Sequence, residues 1–256
     1  MLQAHSLLWH YLWLAPNALL LIIAFLMWRS ELRKAFPAFF AFALFSAVGE
    51  FALYAADVLP SVTAENFWRI EWASLLIEGS LKFVLVAEIF SRVFGSYDSV
   101  ARLGRILIRA AGTALVLAAA LAAAYAPRNM TFGIVSGAHL LSQTIYLIVS
   151  GLLLSIFLLS AYFGLRPSRP VFGMALGFAI SSCVHLATWA VSANTRLPAS
   201  GRVVLDFVDM ATYHAVVLIW FYYLLVPSKV AASPAVPLPE NNLEVWNREL
   251  ERLVQR

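Results

Sequence analysis

NFWRIEWASLLIEGSLKFVLVAEIFSR, residues 66–92, is long and apolar enough to cross a bilayer, yet it carries Glu71, Glu78, Lys82 and Glu88. At about 100° per residue Glu71, Glu78 and Lys82 fall within roughly 40° of one another on a helix. Ionisable groups are costly in hydrocarbon, so such a stripe faces protein or water and not lipid. The remaining helices must supply what that stripe faces.

The composition agrees with a membrane setting. Of 256 residues, 62% are hydrophobic and only 12% are charged, and the mean hydropathy is +0.80. A soluble domain carries about a quarter of its residues charged. The net charge of +4 does not point to nucleic acid, because the basic residues sit in short connections between apolar segments, where they set topology. Cys183 is the single cysteine, which excludes an internal disulfide and a cysteine-built zinc or iron–sulfur site. No basic region precedes the first apolar segment and no small-residue cleavage site follows it, so no removable signal peptide is expected.

Apolar spans of about 20 residues recur seven times. They lie near Leu7–Trp28, Ala38–Val58, Phe67–Ser91, Ile106–Ala126, Phe132–Phe163, Val171–Ser192 and Val203–Val226. The fold expected is an all-α membrane protein, a seven-transmembrane-helix bundle over 1–226 with a linker and short amphipathic helix over 227–256. On one side of these spans lie Arg29, Arg33, Lys34, Arg92, Arg102, Arg105, Arg109, Arg166, Arg169, Lys229, Arg248, Arg252 and Arg256. The other side has Arg69, Arg128, Arg196 and Arg202. This bias places the N-terminus outside and the C-terminus in the cytoplasm.

Several helices repeat the polar stripe. The second carries Ser46, Glu50, Tyr54 and Asp57; the fifth His139, Gln143, Tyr146 and Ser150; the sixth Ser181, His185, Thr188 and Ser192. The seventh places Asp206, Asp209, Tyr213 and Trp220 within roughly 60°, and His214 points away from Asp209 by about 140°. The fourth is nearly pure Ala, Leu and Val. Taken with the topology, the polar groups cluster in the outer half and the inner half is nearly free of charge apart from Glu88. A polar pocket open to the extracytoplasmic side is expected, lined by Glu50, Asp57, Glu71, Glu78, Lys82, His139, Gln143, His185, Asp206, Asp209 and Tyr213. Each of these residues also has a plain structural role open to it. Glu78 and Lys82 are i,i+4 and neutralise each other, and a lone intramembrane His or Gln often only bonds a neighbouring helix. The pairs Gly133/Gly137 and Gly173/Gly177 are packing motifs.

No motif names a chemistry. His10, His139, His185 and His214 are the candidate metal ligands, but they lie on four different helices without the HExxH spacing. Histidines at equal depth, such as His139 and His185, leave a haem open. The seventh helix has no lysine for a retinal Schiff base. Three functions stay open. The first is a small-ligand or ion sensor acting through a partner, the second a membrane-embedded metal- or haem-dependent enzyme, and the third a proton-coupled transporter using Glu50 and Glu78. After Val226 a Pro- and Ala-rich linker leads to LEVWNRELERLVQR, whose apolar face over 243–254 suits the inner membrane surface, a cytoplasmic protein partner or self-association. The short loops, and the lack of disulfides and targeting signals, point to a bacterial inner membrane.

Overall fold

The computed structural model describes residues 5–95, 130–194 and 198–226, with residues 104, 106, 109, 110, 112, 113 and 117. The expected fourth span over 106–126 and the tail helix lie largely or wholly outside these residues. The described residues form seven helices: α1 Leu7–Arg29, α2 Leu32–Ala35, α3 Pro37–Val58, α4 Ala64–Phe94, α5 Met130–Tyr162, α6 Arg169–Asn194 and α7 Ala199–Leu225. All but the one-turn α2 are long.

Local chemistry sets the helix ends. Ser6 caps α1 by accepting a hydrogen bond from the Trp9 amide at 3.3 Å, and Thr63 caps α4 by accepting from Asn66 at 3.3 Å. Pro37 opens α3 at its first turn, where a missing N–H costs nothing. The amide of Ala38 in that turn donates to Glu88 of α4 at 3.1 Å, so a carboxylate sits at the positive end of α3. At the far end of α5, Gly164 takes φ 64°, while Leu165 N–H donates to Ser160 O at 2.8 Å and Gly164 N–H to Ala161 O at 3.1 Å. These are the two bonds of a Schellman turn, and the left-handed position suits glycine. Arg169 closes α7 by donating to the Val226 carbonyl at 2.7 Å and lies 4.7 Å from the Tyr222 ring.

The long helices form a closed ring. In chain order α1 packs on α3, α3 on α4, α4 on α5, α5 on α6 and α6 on α7, and α7 returns to α1. Close approaches fix directions. Trp13 with Glu50 and His10 with Tyr54 run α1 against α3, and Thr188 with Asp209 and Arg169 with Val226 run α6 against α7. By contrast Trp68 meets His139 and Lys82 meets Tyr146, so α4 and α5 run parallel. Gly173 and Gly177 of α6 lie directly against the Tyr223 and Trp220 rings of α7, which explains the close contact of those two helices.

Five helices are long and apolar enough to cross a membrane, α1, α3 and α7 together with the 138–162 part of α5 and the 169–192 part of α6. The chain is thus a multi-pass helical membrane protein. Its outward surface carries Leu7, Phe25, Val48, Val84, Leu147, Leu154, Leu158 and Leu218, all exposed, a far larger apolar surface than a soluble monomer shows. Hydroxyls on that surface are satisfied within their own helices, as lipid requires: Ser80 donates to Leu76 O at 2.7 Å and Ser155 to Gly151 O at 2.8 Å. The stretch that carries the charged stripe, α4, is not among the five. It is 31 residues long, about 46 Å at the usual helical rise, but its charges make it too polar for lipid alone. Its place between α3 and α5 supplies the protein neighbours that its stripe demands.

Candidate functional site

One half of the ring is apolar and filled. Phe42, Phe178 and Trp220 form an aromatic knot with ring separations of 4.9, 4.7 and 5.9 Å, and Phe39 joins it 5.3 Å from Trp220. Leu20, Ile23 and Met27 of α1, Leu85 and Ile89 of α4, and Val149 and Leu153 of α5 complete that core, all fully buried. The other half holds a partly open cavity of about 370 Å³, within the range of small-molecule sites. Every long helix contributes to it: Trp9, Leu12, Trp13 and Asn17 from α1; Ser46 and Glu50 from α3; Glu71, Leu75 and Glu78 from α4; Ser142 and Tyr146 from α5; Ser181 and His185 from α6; and Asp209, Met210, Thr212 and Tyr213 from α7.

Two arcs of polar and ring contacts run beside this cavity. One runs across α4, α5, α6 and α7. Glu78 and Lys82 form an ion pair at 2.9 Å with Lys82 only 7% exposed. The same ammonium lies 3.4 Å from the Tyr146 hydroxyl and 4.4 Å from the centre of its ring. Tyr146 stacks on His185 at 4.0 Å, and His185 Nδ1 is 3.5 Å from Asp209. Thr188 Oγ1 lies 2.9 and 3.0 Å from the two Asp209 oxygens and 2.9 Å from the His185 carbonyl, so its single proton serves three acceptors. The second arc joins α1, α3 and α7. Trp13 Nε1 donates to Glu50 at 2.8 Å, Asn17 donates to the Trp13 carbonyl at 2.7 Å, and the Tyr213 hydroxyl donates to Asn17 Oδ1 at 3.3 Å. Pro16 in the same helix has no N–H to give the Leu12 carbonyl, which leaves a backbone acceptor without its helical partner in a residue that lines the cavity.

Two lining groups stand apart from these arcs. Among the described residues none hydrogen-bonds or ion-pairs with Glu71, which is half-buried. Ser46 is 3% exposed and its Oγ has no partner, a cost of about 1–3 kcal/mol for a buried hydroxyl.

Of the eleven residues expected at the pocket, Glu50, Glu71, Glu78, His185, Asp209 and Tyr213 line the cavity. Lys82 lies beside it in a small adjoining space shared with Glu78 and Tyr146. Asp57 is exposed at the end of α3, 3.8 Å from His5. Asp206 is exposed one turn before Asp209, and His139 is exposed beside Trp68 at 5.9 Å. Gln143 lies on α5 outside the cavity lining. Of the other candidate histidines, His10 bonds Tyr54 at 3.0 Å, His185 faces Asp209, and His214 lies 5.8 Å from the Tyr11 ring with a buried, unpartnered Nδ1. Among the described residues no three His, Cys, Asp or Glu side chains form a group suited to a metal ion. Trp13, Asn17 and Ser46 are lining residues that were not among the eleven. Ser46 lies one turn before Glu50 on the same face, and the sequence already sets it in that polar stripe.

No protein-family model, curated protein or solved structure matches the chain.

Proposed function

We propose that the chain is a seven-span receptor-like protein that binds a small polar ligand in the cavity, entered from the extracytoplasmic side, and passes the state of the site to a partner through its cytoplasmic loops and the 243–254 segment. The observation that carries this reading is the shared lining: six long helices, adjacent in a ring, each send side chains into one 370 Å³ space. A ligand there touches every helix at once, so its differential contacts can bias how they pack. The seventh span is supported by direction. The parallel course of α4 and α5 is the one that two helices joined by a further span take. The basic residues Arg29, Arg33, Lys34, Arg92, Arg166 and Arg169 lie at the end away from the cavity, which supports an outer site and a cytoplasmic C-terminus.

The experiment is cysteine access. In a Cys183→Ser background, Ser142→Cys and Thr212→Cys each place a thiol at the cavity wall. A small neutral methanethiosulfonate added outside intact cells should modify both. If neither reacts while a thiol in the exposed 59–63 turn does, the cavity is closed to solutes and the reading fails. A proton-coupled transporter is the second reading, favoured by the continuous run from Glu78 through Lys82, Tyr146 and His185 to Asp209. Solute uptake into vesicles that Glu78→Gln abolishes would select it.

A further inference from the structure

We infer that the cavity takes a small organic cation, an alkylammonium or quaternary ammonium held between Glu50 and Glu71 with its hydrocarbon part against Trp9, Trp13 and Tyr213. The inference rests on the cavity being a binding site and names the chemistry of what fills it.

Among the described residues, the carboxyl groups of the lining outnumber the cations beside them. Four carboxyl groups face the space: Glu78 is paired with the Lys82 ammonium at 2.9 Å, and Asp209 lies 2.9 Å from the Thr188 hydroxyl and 3.5 Å from His185. Glu50 receives only a neutral indole N–H, at 2.8 Å, and Glu71 receives nothing from the described residues. Two carboxyl groups of separate helices thus share a space without a cation of their own, an arrangement costly in a membrane interior unless a proton, a positive charge or water joins them.

A second observation is independent of those carboxylates. Ser46 Oγ is buried, has no partner and belongs to the cavity wall one turn from Glu50. A buried hydroxyl is rarely left unbonded unless something absent from the protein itself completes it. Hydroxyl- and amine-bearing ligands can do so.

The wall also separates an organic cation from a metal ion. Metal sites gather three or more hard or borderline ligands around one point, and no such group exists among the described residues. Here the acidic groups are interleaved with indole and phenol rings, which attract ammonium groups and cover alkyl surface.

The thiol variants test this. At Ser142→Cys, trimethylammonium-ethyl methanethiosulfonate should react faster than the sulfonato-ethyl reagent, relative to a thiol in the exposed 59–63 turn. Choline chloride should protect that thiol from the neutral reagent. Its uncharged isostere 3,3-dimethylbutan-1-ol, at equal concentration and ionic strength, should not. Losing one charge-assisted contact in Glu71→Gln should raise the choline needed for half-protection about tenfold or more. Glu50→Gln, which retains an acceptor for Trp13, should act the same way and guards against a folding defect in one variant. Modification without choline protection, equal protection by the isostere, or protection indifferent to both Gln variants would overturn the cation while leaving the cavity a binding site. Failure of the neutral reagent to react at all would overturn both.

Discussion

Lys82 reaches back one helical turn to Glu78 at 2.9 Å and forward to Tyr146 of the parallel helix at 3.4 Å, so one ammonium ties a carboxylate on α4 to a phenol on α5. Lys82 is 7% exposed, and its charge is tolerated because both neighbours take it. Lys82→Met should leave Glu78 as an uncompensated carboxylate and cost about 3–5 kcal/mol. Adding Glu78→Gln removes the stranded charge and should recover much of that loss. Thermal unfolding of the detergent-purified variants measures both. A double variant no more stable than Lys82→Met would mean that the ammonium acts through Tyr146 rather than Glu78.

Trp13 and Glu50 set up the opposite wall. Among the described residues the indole N–H is the one hydrogen-bond donor to that carboxylate, at 2.8 Å. Trp13→Phe keeps most of the aromatic surface and deletes the donor, which should cost about 1–3 kcal/mol for the acceptor left behind. Glu50→Gln should cost less, since its amide oxygen accepts the same bond. The order of unfolding temperatures, wild type above Glu50→Gln above Trp13→Phe, is the readout.

Much of this wall was legible from helical geometry, and what was not has physical causes. The Glu71–Glu78–Lys82 stripe and the Ser46–Glu50 face follow from a 100° turn per residue, which holds whatever the helices pack against. Angle alone does not say how far along the bundle a space extends. His139 lies two turns before Tyr146 on nearly the same face, yet only Tyr146 reaches the cavity. Asp206 precedes Asp209 by one turn and falls outside in the same way. Aromatic residues near a helix start, as Trp13 is, commonly anchor a helix at the membrane interface, so its position alone does not assign it to a cavity wall. Its bond to Glu50, 37 residues away, depends on how α1 and α3 pair. The parallel course of α4 and α5, by contrast, is the direction that the third and fifth of seven alternating spans take.

The α6–α7 contact has a sharp steric requirement. A Cβ at Gly177 would run into the Trp220 indole, which is itself locked in the aromatic knot and 1% exposed. Gly177→Val should therefore force the helices apart and lower stability by about 1–3 kcal/mol, the usual cost of overpacking. Gly151 is the control, because nothing lies within 4 Å of its would-be Cβ. Gly151→Ala should leave the unfolding temperature unchanged or raise it slightly, since alanine favours the helix by roughly 1 kcal/mol. If both variants behave alike, the close approach at Gly177 contributes nothing.

Helix directions make a definite prediction about sidedness. The exposed residues Ser30 and Ser168 follow α1 and precede α6, and both lie at the end of the ring away from the cavity. Ser61 and Ser200, also exposed, lie at the cavity end, between α3 and α4 and at the start of α7. Single cysteines at these four positions, again with Cys183→Ser, should divide into two pairs under a membrane-impermeant maleimide. Ser61→Cys and Ser200→Cys should label in intact cells, while Ser30→Cys and Ser168→Cys should label only after permeabilisation. The critical comparison is Ser30 with Ser168. An even number of crossings must separate residues on the same side, and the proposed span between the parallel helices α4 and α5 keeps that parity. On the proposed seven-span reading four crossings lie between Ser30 and Ser168: α3, α4, the proposed span over 106–126, and α5. Labelling of Ser168→Cys from outside while Ser30→Cys stays protected would make the count odd and remove the seventh span.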